Sequence, residues 1–117
     1  MVAKVIVNAD DFGKDENCSS AIVECFEKGL ISQTTLMVNM PFAEEAVRIA
    51  KGKSIDPYIG LHITLTEGEP VTDQIKECRT FCDDNGYFLK NGFRSVIYGR
   101  YQKKEEDALR VELEAQI

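Results

Sequence analysis

Two hydrophobic patterns alternate along the first 66 residues of the chain. Residues 4–9, 34–40 and 58–66 are short, largely apolar and rich in β-branched side chains, as buried strands are. Between them, residues 16–28 and 42–51 repeat apolar positions at the 3.6-residue period of an amphipathic helix. Strands that alternate with helices predict parallel βαβ units, and therefore an α/β fold.

Residues with special backbone or capping roles delimit the two predicted helices. Asp15 stands where an N-cap belongs, and Gly29 stands where a left-handed residue often ends a helix. Pro41 is expected to stop the second strand, and Gly52 is expected to end the second helix.

The pattern changes after Thr66. Residues 67–92 are rich in Glu, Asp, Gly and Asn with little periodicity, which predicts a long loop, and residues 93–101 are expected to hold a short helix. A further helix is predicted from Lys103, and its sequence reaches Ile117 without a Gly, Pro or polar cap. We therefore expect residues 1–117 to be part of a longer domain, with an unpaired sheet edge that favours homo-oligomers.

Charge and composition exclude several classes of partner. The formal net charge of -6 argues against a nucleic-acid partner, because phosphate backbones are bound by clustered Lys and Arg. The longest apolar runs are too short to span a membrane or to form a signal-peptide core. The four cysteines form no C-x-x-C pair, and we predict a cytoplasmic protein.

The first candidate for chemistry is the pair Asp10-Asp11. Two adjacent carboxylates after a hydrophobic strand need neutralisation, and the carboxyl ends of parallel strands are where active sites form in α/β folds. A bound cation or an acid/base role would explain both charges. The alternative is a surface turn in which one Asp caps the following helix.

The second candidate is His62, inside the third predicted strand. Period-two alternation places His62, Thr64 and Thr66 on one face of that strand, which suggests polar groups that line a cavity. A lone histidine is more often a core residue satisfied by a backbone hydrogen bond. Combined with Asp10 and Asp11, however, it gives a carboxylate and imidazole set suited to Mg²⁺, Zn²⁺, Mn²⁺ or Co²⁺.

Asn39 is the third candidate, at the end of the second predicted strand. From there its amide could bond a hydroxyl or amide of a substrate, although it could equally serve to end the strand before Pro41. The turn at residues 68–70 could shape the rim of the same pocket.

Together these segments resemble the YdjC family, which includes the chitooligosaccharide deacetylases. The matching segments are residues 7–13 (Val-Asn-Ala-Asp-Asp-Phe-Gly), 34–41 and 60–66 (Gly-Leu-His-Ile-Thr-Leu-Thr), with a fainter match at 112–117. The resemblance covers essentially the whole chain. It implies a distorted (β/α) barrel of roughly twice this length, of which residues 1–117 would form the N-terminal part of a single deacetylase domain.

The resemblance also implies metal-dependent hydrolysis of an N-acetyl group from an acetylated amino sugar, such as a chitooligosaccharide. Asp10 would be the general base, and Asp11 and His62 would be ligands of Mg²⁺ or Zn²⁺, with a small carbohydrate as substrate. The family carries a further metal-binding histidine beyond the point where this chain ends, whereas His62 is the chain's only histidine. We therefore expect the isolated chain to be inactive.

Two other classes of protein fit parts of the pattern. A phosphoacceptor receiver domain has a similar length and an acidic pair near its first strand, but it requires an Asp at the end of the third strand, where this chain has His62. A non-catalytic fragment that binds a metal or a sugar would also fit an incomplete ligand set. Phosphorylation by a small phosphodonor would favour the receiver, and acetate release would favour the deacetylase.

Overall fold

The computed structural model describes residues 3–90 and 98–117, and the chain divides into two compact units. The first unit ends at His62 and the second begins at Ile63. The first unit contains, in chain order, β1 (Asn8–Phe12), α1 (Glu16–Glu27), β2 (Gln33–Leu36), α2 (Ala43–Lys53), a 3-10 turn (Asp56–Tyr58) and β3 (Ile59–Leu61). In the part of the chain described, no helix is both long enough and apolar enough to cross a membrane.

The three strands form one parallel sheet in the order β1-β2-β3. Each strand is followed by helical structure before the next one begins, so the predicted α/β class and its parallel βαβ units are confirmed. The closed barrel implied by the family resemblance stays a prediction, because three strands form only an open sheet.

The observed strands differ in position from the predicted ones. β1 begins at Asn8 rather than at residue 4, and Val5 and Ile6, which we expected to be buried, are 76% and 72% exposed. The reason is pairing, since the ladder between β1 and β2 begins only where Asn8 meets Gln33. β2 ends at Leu36 instead of residue 40, and β3 ends at Leu61 instead of residue 66.

The first helix agrees with the sequence prediction. The Asp15 carboxylate accepts a hydrogen bond of 2.8 Å from the backbone N–H of Cys18, as an N-cap does, and Gly29 has the predicted left-handed φ of 66°. The prediction for α2 was wrong at its end: the helix continues through Gly52 to Lys53, and Ser54 adopts the left-handed conformation (φ 58°). The core of this unit consists of Phe12, Ile22, Val23, Ala46, Ala50 and Ile55.

The second unit is more ordered than the predicted loop at residues 67–92. It contains the short helix α3 (Asp73–Lys76), a β-bridge between Cys82 and Phe88, and the helix α4 (Lys103–Gln116). A separate hydrophobic core holds these parts together, formed by Ile75, Cys78, Phe81, Cys82, Phe88 and Ala108. The short helix predicted at 93–101 lies mostly outside the described residues.

Two polar side chains of α4 are buried and form hydrogen bonds with the segment that precedes α3. The Glu112 carboxylate accepts hydrogen bonds from the backbone N–H groups of Val71 (2.9 Å) and Thr72 (2.8 Å) and from the Thr72 hydroxyl (2.7 Å). The Gln116 side chain accepts from the Thr64 N–H and donates to the Thr64 carbonyl, both at 2.9 Å. Glu112 and Gln116 therefore replace the partners that a strand ladder would give these backbone groups.

Candidate functional site

The two aspartates lie in a β-bulge of β1. Ala9 pairs with Thr34 and Phe12 pairs with Leu36, so Asp10 and Asp11 together oppose the single residue between those partners on β2. A bulge of this kind disrupts the alternation of side chains along a strand and changes their direction. It accounts for how two consecutive carboxylates can both approach the same neighbouring side chains.

The backbone that carries this bulge is in a sterically restricted conformation. Asp11 has φ 70°, which costs a residue other than glycine about 1 to 2 kcal/mol and is tolerated best by Asn and Asp. Gly13 follows with φ 88°, and a Cβ there would lie 2.9 Å from Leu36 Cδ1 and 3.1 Å from Ala43 Cα. The buried Ser19 hydroxyl accepts a hydrogen bond from the Gly13 N–H at 3.0 Å and fixes the turn.

His62 is the first residue after β3, whereas we predicted it inside the third strand. Its backbone N–H donates to the Leu36 carbonyl at 2.9 Å, so the main chain is still held against β2 at this point. The predicted polar face of His62, Thr64 and Thr66 is not formed, because the strand has ended. Thr64 is 97% buried (3% exposed), whereas Ile63 is 45% exposed.

The imidazole of His62 lies beside Asp11 and is connected to Asp10 through the Thr35 hydroxyl. Its Nδ1 atom is 3.7 Å from Asp11 Oδ1 and 3.2 Å from the Thr35 hydroxyl. The same hydroxyl is 2.9 Å from Asp10 Oδ1, which also accepts a hydrogen bond of 2.8 Å from the Asn8 side-chain amide. The structure thus brings Asp10, Asp11 and His62 together around Thr35.

Two neighbours influence the electrostatics of this group. The Lys14 ammonium lies 3.5 Å from Asp11 Oδ2 and offsets part of its negative charge. The Cys18 thiol donates to the Asp11 carbonyl at 3.5 Å; burial raises its pKa, and the carboxylates of Asp11 and Asp15 raise it further. Cys18 is therefore kept as a thiol rather than a thiolate, and it is suited to packing instead of nucleophilic or ligand chemistry.

The donor set fits part of a divalent-metal site. Carboxylate oxygens and imidazole nitrogens are common ligands of divalent ions, and the Asp11 carboxylate and the His62 ring are neighbours, with 3.7 Å between Oδ1 and Nδ1. With exposures of 36% and 28%, both remain accessible. Among the described residues, no group of three or more His, Cys, Asp or Glu side chains is arranged to hold a metal.

One predicted site residue lies in a turn after β2, and one residue beside the aspartates was missed. Asn39 is partly buried in the turn between β2 and α2, after the strand has ended at Leu36, and its predicted role in substrate binding stays a prediction. Thr35 was passed over because threonine is ordinary in a strand. The available signal was its position on the predicted strand that follows the acidic pair in the chain.

Comparison with known proteins identifies the relatives of the chain. The family model described as YdjC-like protein matches residues 4–117. A carbohydrate deacetylase from Thermoanaerobacter pseudethanolicus is 39% identical over 97% of this chain, and one from Danio rerio is 38% identical over 97%. The chain spans only 43% and 35% of the length of these two relatives.

A solved structure is also similar to this chain. A protein from Enterococcus faecalis V583, for which cellobiose-phosphate cleavage is the suggested activity, superimposes with a TM-score of 0.76 and 28% sequence identity. The match covers 96% of this chain and 41% of that protein. Because the family model matches residues 4–117, nearly the whole of these 117 residues, the chain belongs to the YdjC-like protein family.

Proposed function

We propose that this chain carries part of the active site of an enzyme that removes an N-acetyl group from an acetylated amino sugar, such as a chitooligosaccharide, with the help of a divalent metal ion. The observation that carries the proposal is the convergence of Asp11 and His62 at 3.7 Å beside Asp10. The relatives also support the proposal, because both of the sequence relatives described above are named carbohydrate deacetylases.

Asp11 and His62 would hold the ion, with Mg²⁺ or Zn²⁺ as the proposed species. When bound, such an ion lowers the pKa of a water molecule toward neutrality and polarises an amide carbonyl. A catalytic site of this type normally has about three protein ligands, and His62 is the only histidine in the chain. We therefore propose that a further ligand comes from outside these 117 residues.

Asp10 is suited to act as the general base. Its Oδ1 atom accepts the hydrogen bonds from Asn8 and Thr35, which restrain rotation of the carboxylate. Neither bond uses Oδ2, so that oxygen can take a proton from the attacking water. The water oxygen then adds to the acetyl carbon, the C–N bond breaks, acetate forms and the amine leaves with a proton. We assign the acid that supplies this proton to a residue outside the chain.

Substrate and location complete the proposal. Asn39, in the turn after β2, is proposed to bond a hydroxyl or amide of the sugar. The four cysteines are free thiols, which supports a reducing compartment such as the cytoplasm. The receiver alternative lacks support, because the residue after β3 is His62 and the relatives are named as deacetylases.

The test is acetate release from N-acetylated chitobiose with added Mg²⁺ or Zn²⁺. We expect activity from a longer form that contains this chain, a loss of about 100-fold or more in its Asp10→Asn variant, and no activity from the 117 residues alone. Two results would contradict the proposal: cleavage of cellobiose phosphate without acetate release, or no turnover of either sugar by a longer form that binds metal. The second result would favour the non-catalytic alternative.

A further inference from the structure

The Thr35 hydroxyl lies between the two groups with proposed chemical roles. It is 2.9 Å from Asp10 Oδ1 and 3.2 Å from His62 Nδ1. A threonine hydroxyl has one hydrogen to donate and two lone pairs with which to accept. A carboxylate can only accept, so the hydroxyl hydrogen goes to Asp10. The contact with His62 is then satisfied only if Nδ1 carries a hydrogen and donates it to Thr35.

A second observation favours the same hydrogen position. Asp11 Oδ1 lies 3.7 Å from the same Nδ1 atom. Negative charge at that distance stabilises an N–H group and repels a nitrogen lone pair. The Thr35 hydroxyl and the Asp11 carboxylate, which come from different strands, therefore both favour the hydrogen on Nδ1.

We propose that Thr35 is a positioning residue that holds His62 in the tautomer with its hydrogen on Nδ1 and thereby directs the Nε2 lone pair toward metal binding. The inference rests on the proposed function in that His62 is taken to be a ligand. Ligating histidines usually donate their other ring N–H to a fixed acceptor, which sets the orientation of the ring and its basicity. Here the acceptor is a hydroxyl that is itself oriented by Asp10.

The arrangement couples the proposed base to the proposed ligand. Because one hydroxyl bonds both, its removal takes one donor from the Asp10 carboxylate and one acceptor from the His62 ring. Thr35→Val preserves the β-branched shape that suits a strand and deletes only the hydroxyl function. Thr35→Ser restores the hydroxyl and is the matched control.

Long-range ¹H–¹⁵N spectra of the imidazole test the tautomer directly, and the chain's single histidine makes the assignment unambiguous. At about pH 8, where a neutral imidazole is favoured, we expect the Nδ1–H form in the native chain and in Thr35→Ser. In Thr35→Val we expect the population to move toward the Nε2–H form that free imidazole favours. An Nε2–H form in the folded native chain would overturn the proposal whether or not the valine variant folds.

Binding of Mn²⁺ to a longer form that contains this chain, followed by the paramagnetic effect of the ion on water relaxation, supplies a second readout. We expect Thr35→Val to weaken Mn²⁺ binding by about 10- to 100-fold, as loss of such a supporting bond does, and Thr35→Ser to recover most of it. Equal affinities of the valine and native chains would refute the positioning role. An Nδ1–H tautomer, together with a longer form whose His62 signals do not respond to Mn²⁺, would instead contradict the proposed function and leave the tautomer assignment standing.

Discussion

The buried carboxylate of Glu112 offers a sharp test of how the second unit is stabilised. Glu112 has 0% exposure, and its two oxygens share four donors: the Val71 N–H and the Gln116 amide on Oε1, and the Thr72 N–H and hydroxyl on Oε2. In Glu112→Gln one carboxylate oxygen is replaced by an NH₂ group. The two donors that bonded to that oxygen then lose their acceptor and face a donor instead. The Thr72 hydroxyl can rotate to accept, but a backbone N–H cannot.

The magnitude follows from the bonds that are lost. At least one partly buried backbone N–H loses its acceptor, which costs about 1 to 3 kcal/mol, and the remaining bonds lose their charged partner. We expect a loss of about 2 kcal/mol in the free energy of unfolding, which corresponds to a fall of roughly 10 °C in the unfolding midpoint.

Urea denaturation measures the change in the free energy of unfolding, and amide hydrogen exchange measures the protection of individual backbone amides. Glu114→Gln is the matched control, since it makes the same charge change at an exposed position of α4. We expect the protection of the Val71 and Thr72 amides to fall by about 30-fold in Glu112→Gln and to be unchanged in the control. If both variants unfolded at the same urea concentration with equal protection, the role assigned to the Glu112 bonds would be wrong.

Three further substitutions test the first unit. In a longer form, His62→Ala is expected to remove most metal affinity and acetate release. Because the ring is partly exposed, the variant should change the free energy of unfolding by less than about 1 kcal/mol. A variant that is active but unfolds at a lower temperature would instead indicate a structural histidine. Gly13→Ala should lower the free energy of unfolding by about 2 to 4 kcal/mol, because of both the left-handed φ and the close contacts of the added Cβ. Gly29 has a similar φ but no atom within 4 Å of an added Cβ, so Gly29→Ala should lower it by only about 1 to 2 kcal/mol. Equal losses in the two alanine variants, measured by urea denaturation, would show that packing at Gly13 adds nothing.

Local signals predicted the parts of the fold that local chemistry controls. Asp15 and Gly29 marked the ends of α1 correctly, because a cap depends on its own side chain and on backbone conformation. The strand limits were predicted less well. The apolar residues at positions 5–7 have the composition of a strand, but strand formation requires a ladder partner, which β2 provides only from Asn8 onward.

The residue types drew attention to three residues of the candidate site, but not to Thr35 or to the geometry. The acidic pair and His62 are unusual residues beside apolar strands, so their types drew attention to them. The β-bulge was not predictable, since it depends on the register between β1 and β2. Glu112 was missed because a charged residue in a helix is usually solvated, although its spacing of four residues from both Ala108 and Gln116 placed it on the buried face.

The most direct measurement of the central claim is the position of a bound metal ion. Crystals of a longer form that contains this chain, grown with Zn²⁺ and measured at the zinc absorption edge, would locate the ion by its anomalous scattering. The proposed function predicts one ion within about 2.0 to 2.2 Å of an Asp11 carboxylate oxygen and of an imidazole nitrogen of His62, with Asp10 beside it. An ordered zinc ion bound elsewhere, or bound by only one of these two side chains, would contradict it.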